Sequence, residues 1–248
     1  LAGHPREQAE VDTSIVNVYA SMGLYPQADS MLYDALQTRH ENPDVEPYEL
    51  AATESALARS LFRQGRYRSA DSLHAAALDR LVDAYGSNDP RTIGARSGRA
   101  IVNGEWGNYA ESVSLYRKNL EIYQSAGRTV PADAYHNFAG TLQMQGRHEE
   151  ALDMHRTAID KYIQEEGEES VALANAYPRM ALTYHRLDSL DKAERYYRRG
   201  LDMRRSLLTP NHPHIASSCV RLSWLLADRG KTQEAEPLIN EGIDVLKA

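Results

Sequence analysis

The chain has 248 residues, of which 42% are hydrophobic and 25% are charged, and its net charge is −7 at neutral pH. A net negative charge argues against general attraction to nucleic acid or to anionic membranes. No apolar run approaches the about 20 residues that a membrane-spanning helix needs. The single cysteine, Cys219, excludes an internal disulfide. The chain begins at Leu1 and shows no signal-peptide pattern, so we expect part of a longer protein or a processed one.

One pattern recurs six times. A turn residue is followed by a small residue five positions later, a mostly small residue after twelve and an aliphatic residue after thirteen; in the second copy these are Gly65, Ala70, Ala77 and Leu78. The turn residues lie 39 or 42 positions apart: Gly23, Gly65, Gly107, Gly146, Asp188 and Gly230. Such a period is typical of stacked repeats. Within each copy, small residues let two helices approach closely and the aliphatic residue fills the seam.

In chain order, the pattern predicts six helix pairs separated by breaks that Pro or Gly marks. The pairs are Pro5–Met22 with Tyr25–Arg39, Glu46–Gln64 with Tyr67–Tyr85, Pro90–Trp106 with Tyr109–Ser125, Pro131–Gln145 with His148–Glu165, Glu168–Leu187 with Leu190–Leu208, and Pro213–Asp228 with Thr232–Lys247. The repeats then span about residues 5–42, 46–86, 90–126, 131–166, 168–209 and 213–248. No strand is predicted. Because each pair can bury its faces only on its neighbours, we interpret residues 1–248 as one continuous α-solenoid.

Two of these helices contain residues that oppose the pattern. The helix Pro90–Trp106 has three glycines, each costing about 1 kcal/mol relative to Ala: Gly94, Gly98 and Gly104. In the same helix Arg99 and Asn103 replace apolar residues, so we expect the weakest packing there. Pro178 lies inside the helix Glu168–Leu187 and removes one backbone donor, which predicts a bend.

The turns carry a family resemblance. Gly65-Arg66-Tyr67 is followed by Ala70, and Gly107-Asn108-Tyr109 is followed by Tyr116. This sequence of a Gly-x-Tyr turn and a helix with Ala and an aromatic resembles the tetratricopeptide repeat (TPR), whose common form has a period of about 34 residues. The longer period here resembles the kinesin-light-chain type. The resemblance implies an all-α, right-handed solenoid of six TPR helix pairs, whose first helices line a concave surface that binds peptides.

Candidate catalytic and metal-binding residues have simpler explanations. His212-Pro213-His214 fits a helix start, and Cys219 falls at a packed position, so a metal site is disfavoured. His74 and His155 occupy the position of Tyr116 and Tyr197 in other copies, which favours packed interface residues. The acidic run Glu165–Glu169 is typical of a solvated turn. There is no Gly-rich phosphate loop, nucleophile elbow or zinc-protease helix, so we predict no catalytic site, metal or cofactor.

The resemblance places one set of polar residues on the concave surface. These are Asn17, Arg59, Arg63, His136, Asn137, Arg179, His185, Arg186, Arg221 and Trp224, accompanied by the acids Glu10, Glu105, Asp133 and Asp228. Arginine binds carboxylates through a planar fork, and Asn can pair with a peptide backbone. We therefore predict a groove for an extended segment with acidic side chains or a free C-terminal carboxylate. The arginines could instead be solvated or paired with neighbours, and Trp224 could be a binding aromatic or a cover for the end of the array.

The opening residues suggest a wider context. Leu1–Pro5, Gln8–Glu10 and Val18–Tyr25 resemble the first repeat of the TPR region in certain bacterial serine/threonine kinases. That resemblance implies a kinase domain and a membrane span upstream and an extracytoplasmic location; otherwise we expect a cytoplasmic one. His185–Asp188 is not a kinase catalytic-loop triplet. We predict a protein–protein interaction scaffold that forms a regulatory or sensor part of a larger signalling protein. The alternative is a sensor array that binds a small molecule or its own flanking segment.

Overall fold

The computed structural model describes residues 18–19 and 22–247, which are helical apart from short connections, with no strand among them. The helices are α1 (Tyr25–Glu41), α2 (Pro47–Arg63), α3 (Tyr67–Tyr85), α4 (Pro90–Trp106), α5 (Tyr109–Ser125), α6 (Ala132–Met144), α7 (His148–Glu166), α8 (Val171–Arg186), α9 (Leu190–Leu207), α10 (Pro213–Asp228) and α11 (Thr232–Lys247). The predicted all-α repeat array is confirmed. The predicted helix Pro5–Met22, with Glu10 and Asn17, lies almost entirely outside the described residues.

The chain divides into two compact units, residues 1–129 and 130–248. The boundary falls in the predicted break between the third and fourth repeats. The single continuous solenoid stays a prediction. We call α2, α4, α6, α8 and α10, the first helix of each pair, the inner helices, and the second helices the outer helices.

In the first unit, α2 packs on α3, α3 on α4, and α4 on α5. The repeat positions predicted to be small are fully buried, as at Ala58 and Ala70. Leucines of α2 fill the seams beside them, and Leu57 and Leu61 are completely buried. Close approach of the helices at alanine, with leucine beside it, is therefore the basis of this core.

The turn residue of each repeat adopts a left-handed backbone. Gly65 has φ 74°, a conformation that is open to Gly without steric penalty. In the fifth repeat Asp188 takes the same position with φ 54°. Asp tolerates this region better than most residues, so the repeat keeps its turn without a glycine.

Helix α4 keeps its packing through polar contacts. Asp71 of α3 accepts a hydrogen bond from Arg99 Nε at 2.9 Å and another from Asn103 Nδ2 at 2.6 Å. Arg99 also lies 3.3 Å from a carboxylate oxygen of Glu111 on α5. The two residues that break the apolar pattern thus share one half-buried acceptor, which compensates for the missing apolar contacts.

In the second unit, consecutive helices from α6 to α11 pack on one another around Leu173, Tyr177, Leu201 and Leu222. The helical conformation of α8 continues through Pro178, and the bend predicted there stays a prediction. The Pro178 ring lies against Gly200 of α9, where an added Cβ would meet Pro178 Cγ at 2.8 Å. Gly200 thus provides the space that the proline ring occupies.

One predicted helix start is wrong. Helix α8 begins at Val171 rather than at Glu168, because the Ser170 hydroxyl accepts a hydrogen bond from Leu173 N at 3.2 Å and caps the helix. None of the helices in the described part of the chain is long and apolar enough to cross a membrane.

Candidate functional site

The structure distributes the predicted site residues over the two units. Arg59 and Arg63 lie on α2 in the first unit and are exposed. The second unit holds the rest: Asn137 and His136 on α6, Arg179, His185 and Arg186 on α8, and Arg221 and Trp224 on α10.

A cleft with a volume of about 860 Å³ lies along α2 in the first unit. The inner helices α2 and α4 contribute small residues to its lining, including Ala52, Ala56, Gly94 and Gly98. Larger apolar side chains are added by Met31 of α1, Phe62 of α2 and Ile101 of α4. The sequence pattern did not predict a cleft in this unit, although Gly94, with no atom within 4 Å of its Cβ position, was a signal of open space.

Four arginines line the cleft, and they differ in their partners. Arg39 donates to the Thr53 hydroxyl. Arg91 donates to both Asp89 carboxylate oxygens, at 2.8 and 2.9 Å, and stacks 3.5 Å from the centre of the Tyr85 ring. Arg59 and Arg63, by contrast, form no hydrogen bond or ion pair with any described residue. Two guanidinium groups at this cleft are therefore available to a ligand.

Arg59 is held in an unfavourable electrostatic environment. Although the Arg59 side chain is partly exposed, desolvation by the surrounding cleft lowers its pKa, and the positive charge of Arg63 lowers that pKa further. Glu49 also lines the cleft, but it forms no ion pair with Arg59 or Arg63. Two neighbouring cations that no described acid pairs with favour the binding of an anion, because its charge would relieve their repulsion. A carboxylate also matches the planar geometry of the guanidinium group.

His74 of α3 forms part of the cleft lining and is only 3% exposed. Its Nδ1 atom is buried and has no hydrogen-bond partner among the described residues. Burial and the nearby Arg59 lower the pKa of His74 to about 4. The imidazole is therefore neutral at pH 7. The predicted packed position of His74 is confirmed, and the structure adds its contact with the cleft.

In the second unit, Arg179 lies over the inner helix α6. A Cβ built on Gly140 would be 3.3 Å from Arg179 Nη1, so the glycine provides the space for the guanidinium group. His136 and His155 lie close to this arginine, with their ring centres 6.0 Å apart. Burial, with Arg179 as a further cause, lowers the pKa of His136 to about 4; burial, His136 and Arg179 lower that of His155 to about 3. Both rings are neutral at pH 7.

A second group of cations lies along α8 and α10. Burial raises the pKa of the Tyr197 hydroxyl, and the neighbouring Arg221 and Arg186 oppose that shift. No ion pair joins either arginine to a described carboxylate. Trp224, one turn beyond Arg221 on α10, is 68% exposed. This surface offers cationic groups and an aromatic ring to solvent.

Two of the acids predicted on the inner surface, Asp228 and Asp133, have partners in the structure. His185 Nε2 lies 3.3 Å from Asp228 Oδ2, which links α8 to α10. Asp133 accepts a hydrogen bond from the Tyr162 hydroxyl. Neither Asp228 nor Asp133 forms an ion pair with Arg179 or Arg221 in the part of the chain that the structure describes.

No group of three or more His, Cys, Asp or Glu side chains in the described ranges could hold a metal ion. Cys219 is fully buried, and burial raises the pKa of its thiol to about 11. A protonated thiol is a poor nucleophile. His212 accepts a hydrogen bond from His214 N at 3.1 Å and caps α10, which explains the His-Pro-His sequence.

Short helix pairs, left-handed turn residues and small residues at each seam define a helix-turn-helix repeat protein. The family model described as tetratricopeptide repeat matches residues 49–125, 130–206 and 178–248. The chain therefore belongs to the tetratricopeptide repeat family, as predicted.

Solved structures share the fold at low sequence identity. BtubC (BKLC) from P. vanneervenii is 20% identical, with a TM-score of 0.72, over 96% of this chain and 90% of that one. TPR-like repeats ascribed to a kinesin light chain of Podospora anserina are 17% identical, with a TM-score of 0.67, over 81% and 96%. NprR in complex with its cognate peptide NprX is 14% identical, with a TM-score of 0.65, over 96% and 67%. A comparison with curated protein sequences gave no match.

Proposed function

We propose that this protein is a protein–protein interaction module whose inner helices bind an extended peptide segment of a partner. The ligand carries carboxylates, either as acidic side chains or as a free C-terminus. The single observation that supports this most strongly is the cleft of about 860 Å³ in the first unit, with Arg59 and Arg63 lacking an acidic partner among the described residues.

The composition of the cleft favours a peptide. Alanines and glycines of α2 and α4 allow a backbone to approach closely, and Phe62 and Ile101 offer apolar contacts for side chains. Binding sites of this kind combine apolar walls with a few polar groups that fix orientation. Arg59 and Arg63 are suited to that second role because charge-assisted hydrogen bonds are strong and directional.

The second unit supports the same proposal by itself. Arg179, Arg186 and Arg221 have no described carboxylate partner, and Trp224 is an exposed aromatic on the same inner helices. Arginine and tryptophan are the residue types most often found at binding hot spots. The structurally similar NprR forms a complex with its cognate peptide NprX, which is consistent with peptide binding by a protein of this fold.

The test begins with selection of peptides from a random display library on the immobilised protein. The affinity of the best peptide is then measured by fluorescence anisotropy for the double variants Arg59→Ala/Arg63→Ala and Arg179→Ala/Arg221→Ala. Loss of a charged hydrogen bond costs about 1.5–3 kcal/mol, so we expect at least one variant to bind about tenfold more weakly or worse.

The matched control for the first unit is Arg66→Ala/Arg68→Ala, which removes two exposed arginines at the start of α3 outside the cleft lining. The control for the second unit is Arg195→Ala on the outer helix α9. Both controls should keep the wild-type affinity. Failure to select any peptide, or equal affinity for all variants, would contradict the proposal.

A second candidate function is a sensor that binds a small molecule, because a volume of about 860 Å³ lies within the range of small-molecule pockets, about 300–1,000 Å³. Thermal-shift screening with a metabolite library distinguishes the two candidates: a small molecule that raises the melting temperature in wild type but not in Arg59→Ala/Arg63→Ala would favour the sensor.

We also infer a regulatory place in a larger signalling protein, such as a bacterial serine/threonine kinase. The support for this is the resemblance of the opening residues. The gene sequence upstream of the codon for Leu1 tests it, since a kinase domain and a membrane span are expected there.

A further inference from the structure

Each unit has an arginine on one inner helix and a glycine on the neighbouring inner helix, and the two residues come in opposite order along the chain. In the first unit Arg59 lies six residues before its turn glycine, and Gly98 of the next inner helix lies nine before its own. In the second unit the glycine comes first, as Gly140, and the arginine second, as Arg179. A histidine of the outer helix lies close to the arginine in each case: His74 near Arg59 and His155 near Arg179.

The first-unit arrangement opens onto the cleft, because Arg59, Gly98 and His74 all belong to its lining. Gly98 places no side chain over the imidazole; a Cβ there would lie 2.8 Å from His74 Cε1. In the second unit, Arg179 occupies the repeat position of Gly98. The His74 imidazole therefore occupies the space that a side chain at position 98 would fill, and it lines the cleft together with Arg59.

Charged groups reach His74 from three helices. They are Arg59 on α2, Asp71 on α3 and Arg99 on α4. Asp71 and Arg99 are bonded to each other at 2.9 Å, so their charges largely cancel. Arg59 is the remaining cation, and His74 Nδ1 has no partner in the described part of the chain. Arg59 and His74 therefore have no carboxylate bound to them among the described residues.

We propose that Arg59 and His74 together bind a ligand carboxylate and that one proton is bound with it. This deepens the proposed function, on which it rests, by naming the groups that contact the carboxylate. Gly98 allows the His74 ring to pack at the cleft, and Arg59 supplies the first charge-assisted hydrogen bonds. His74 supplies the second contact as the imidazolium ion, after the imidazole has taken up a proton from solvent.

Proton uptake follows from the change in charge. Without ligand, burial and Arg59 both disfavour the imidazolium ion. A bound carboxylate neutralises Arg59 and attracts the imidazolium directly, and a neighbouring opposite charge raises a pKa by about one to three units. Binding is therefore expected to strengthen as pH falls from 7.5 to 5.5, by up to about tenfold per pH unit. Below that range the ligand carboxylate itself is protonated.

The experiment is an NMR titration of the histidine Cε1–Hε1 signals of the full chain. The probes are acetyl-Leu-Glu-Leu-amide and its Gln counterpart, each at millimolar concentration. The chain has nine histidines, and the signal of His74 is identified by its absence in His74→Phe. We expect the Glu peptide to raise the pKa of His74 by about two to three units from about 4, and the Gln peptide to leave it unchanged.

Two variants separate this inference from the proposed function. In His74→Phe the Glu peptide should still bind through Arg59, with an affinity that no longer increases between pH 7.5 and 5.5. In His155→Phe the increase should persist. Binding of the Glu peptide that depends on Arg59 but leaves the pKa of His74 unchanged would overturn the inference and keep the proposed function. Failure of the Glu peptide to perturb either residue would overturn the carboxylate site itself.

Discussion

The imidazole of His74 rests on the backbone of Gly98, so closely that a Cβ on Gly98 would lie 2.8 Å from His74 Cε1 and 3.2 Å from Nδ1. The contact joins outer helix α3 to inner helix α4, and both residues line the cleft. Gly98 lowers the helix propensity of α4, but position 98 has no space for a side chain because the His74 ring packs there.

This contact predicts opposite effects for two glycines of α4. Gly98→Ala should lower the free energy of unfolding by about 1–3 kcal/mol, because inserted carbon atoms force strain in a packed core. Gly94→Ala is the control, since no atom lies within 4 Å of its Cβ position. It should stabilise by up to about 1 kcal/mol through helix propensity. Urea unfolding of both variants measures this, and equal effects would contradict the contact.

Asp71 accepts from two side chains of α4, Arg99 and Asn103. Asp71→Ala should destabilise the first unit by about 1–3 kcal/mol, because it removes this acceptor from the buried Asn103 amide. Asp79→Ala, on the exposed side of the same helix, should change the stability by no more than about 0.5 kcal/mol. Thermal unfolding compares them, and similar melting temperatures would show that Asp71 has no structural role.

Gly200 and Gly242 occupy the same repeat position, twelve residues after the turn residue. A Cβ on Gly200 would meet Pro178 Cγ at 2.8 Å, whereas a Cβ on Gly242 would meet its nearest atoms at an ordinary 3.5 Å. Gly200→Ala should therefore destabilise the second unit by about 1–3 kcal/mol. Gly242→Ala should be neutral or stabilising. A similar loss of stability for both would refute the packing of Pro178 on α9.

Three buried histidines predict acid sensitivity. The pKa values of His74 and His136 are lowered to about 4 and that of His155 to about 3. In the unfolded chain, histidine binds a proton near its ordinary pKa of about 6.5. Between these values only the unfolded state is protonated, so the free energy of unfolding should fall as pH decreases from 6.5 to 4, by up to about 1.4 kcal/mol per pH unit for each histidine.

Replacing one buried imidazole tests whether the buried histidines cause this dependence of stability on pH. His155→Phe should lose less stability between pH 7 and pH 5 than wild type, by about 1 kcal/mol or more. The exposed His40→Gln should keep the wild-type slope. Chemical unfolding at several pH values provides the measurement, and parallel profiles for all three proteins would exclude buried histidines as the cause.

Much of the fold follows from the period of the sequence. The bounds of α4, α5, α10 and α11 are those predicted, because turn glycines and helix-starting prolines act locally. The start of α8 was wrong by three residues because the Ser170 cap was not recognised. Local signals thus determine where helices begin and end.

The cleft in the first unit depends on contacts between repeats, which the repeat period of the sequence does not predict. The sequence predicted Arg59 and Arg63 on an inner surface, yet it could not show that Arg39 and Arg91 have partners while these two have none described. Gly98 contacts His74, 24 positions earlier in the chain, and both residues line the cleft. Such pairs become visible only when the helices are placed side by side.

The central claim, that inner-helix arginines bind ligand carboxylates, is tested most directly by a double-mutant cycle. The affinities of the selected peptide and its Glu→Gln counterpart are measured for wild type and for Arg→Ala variants at Arg59, Arg63, Arg179 and Arg221, with Arg66→Ala as the control. We predict a coupling free energy above about 1 kcal/mol for at least one of the four arginines and near zero for Arg66. Coupling indistinguishable from zero at all four would contradict the account.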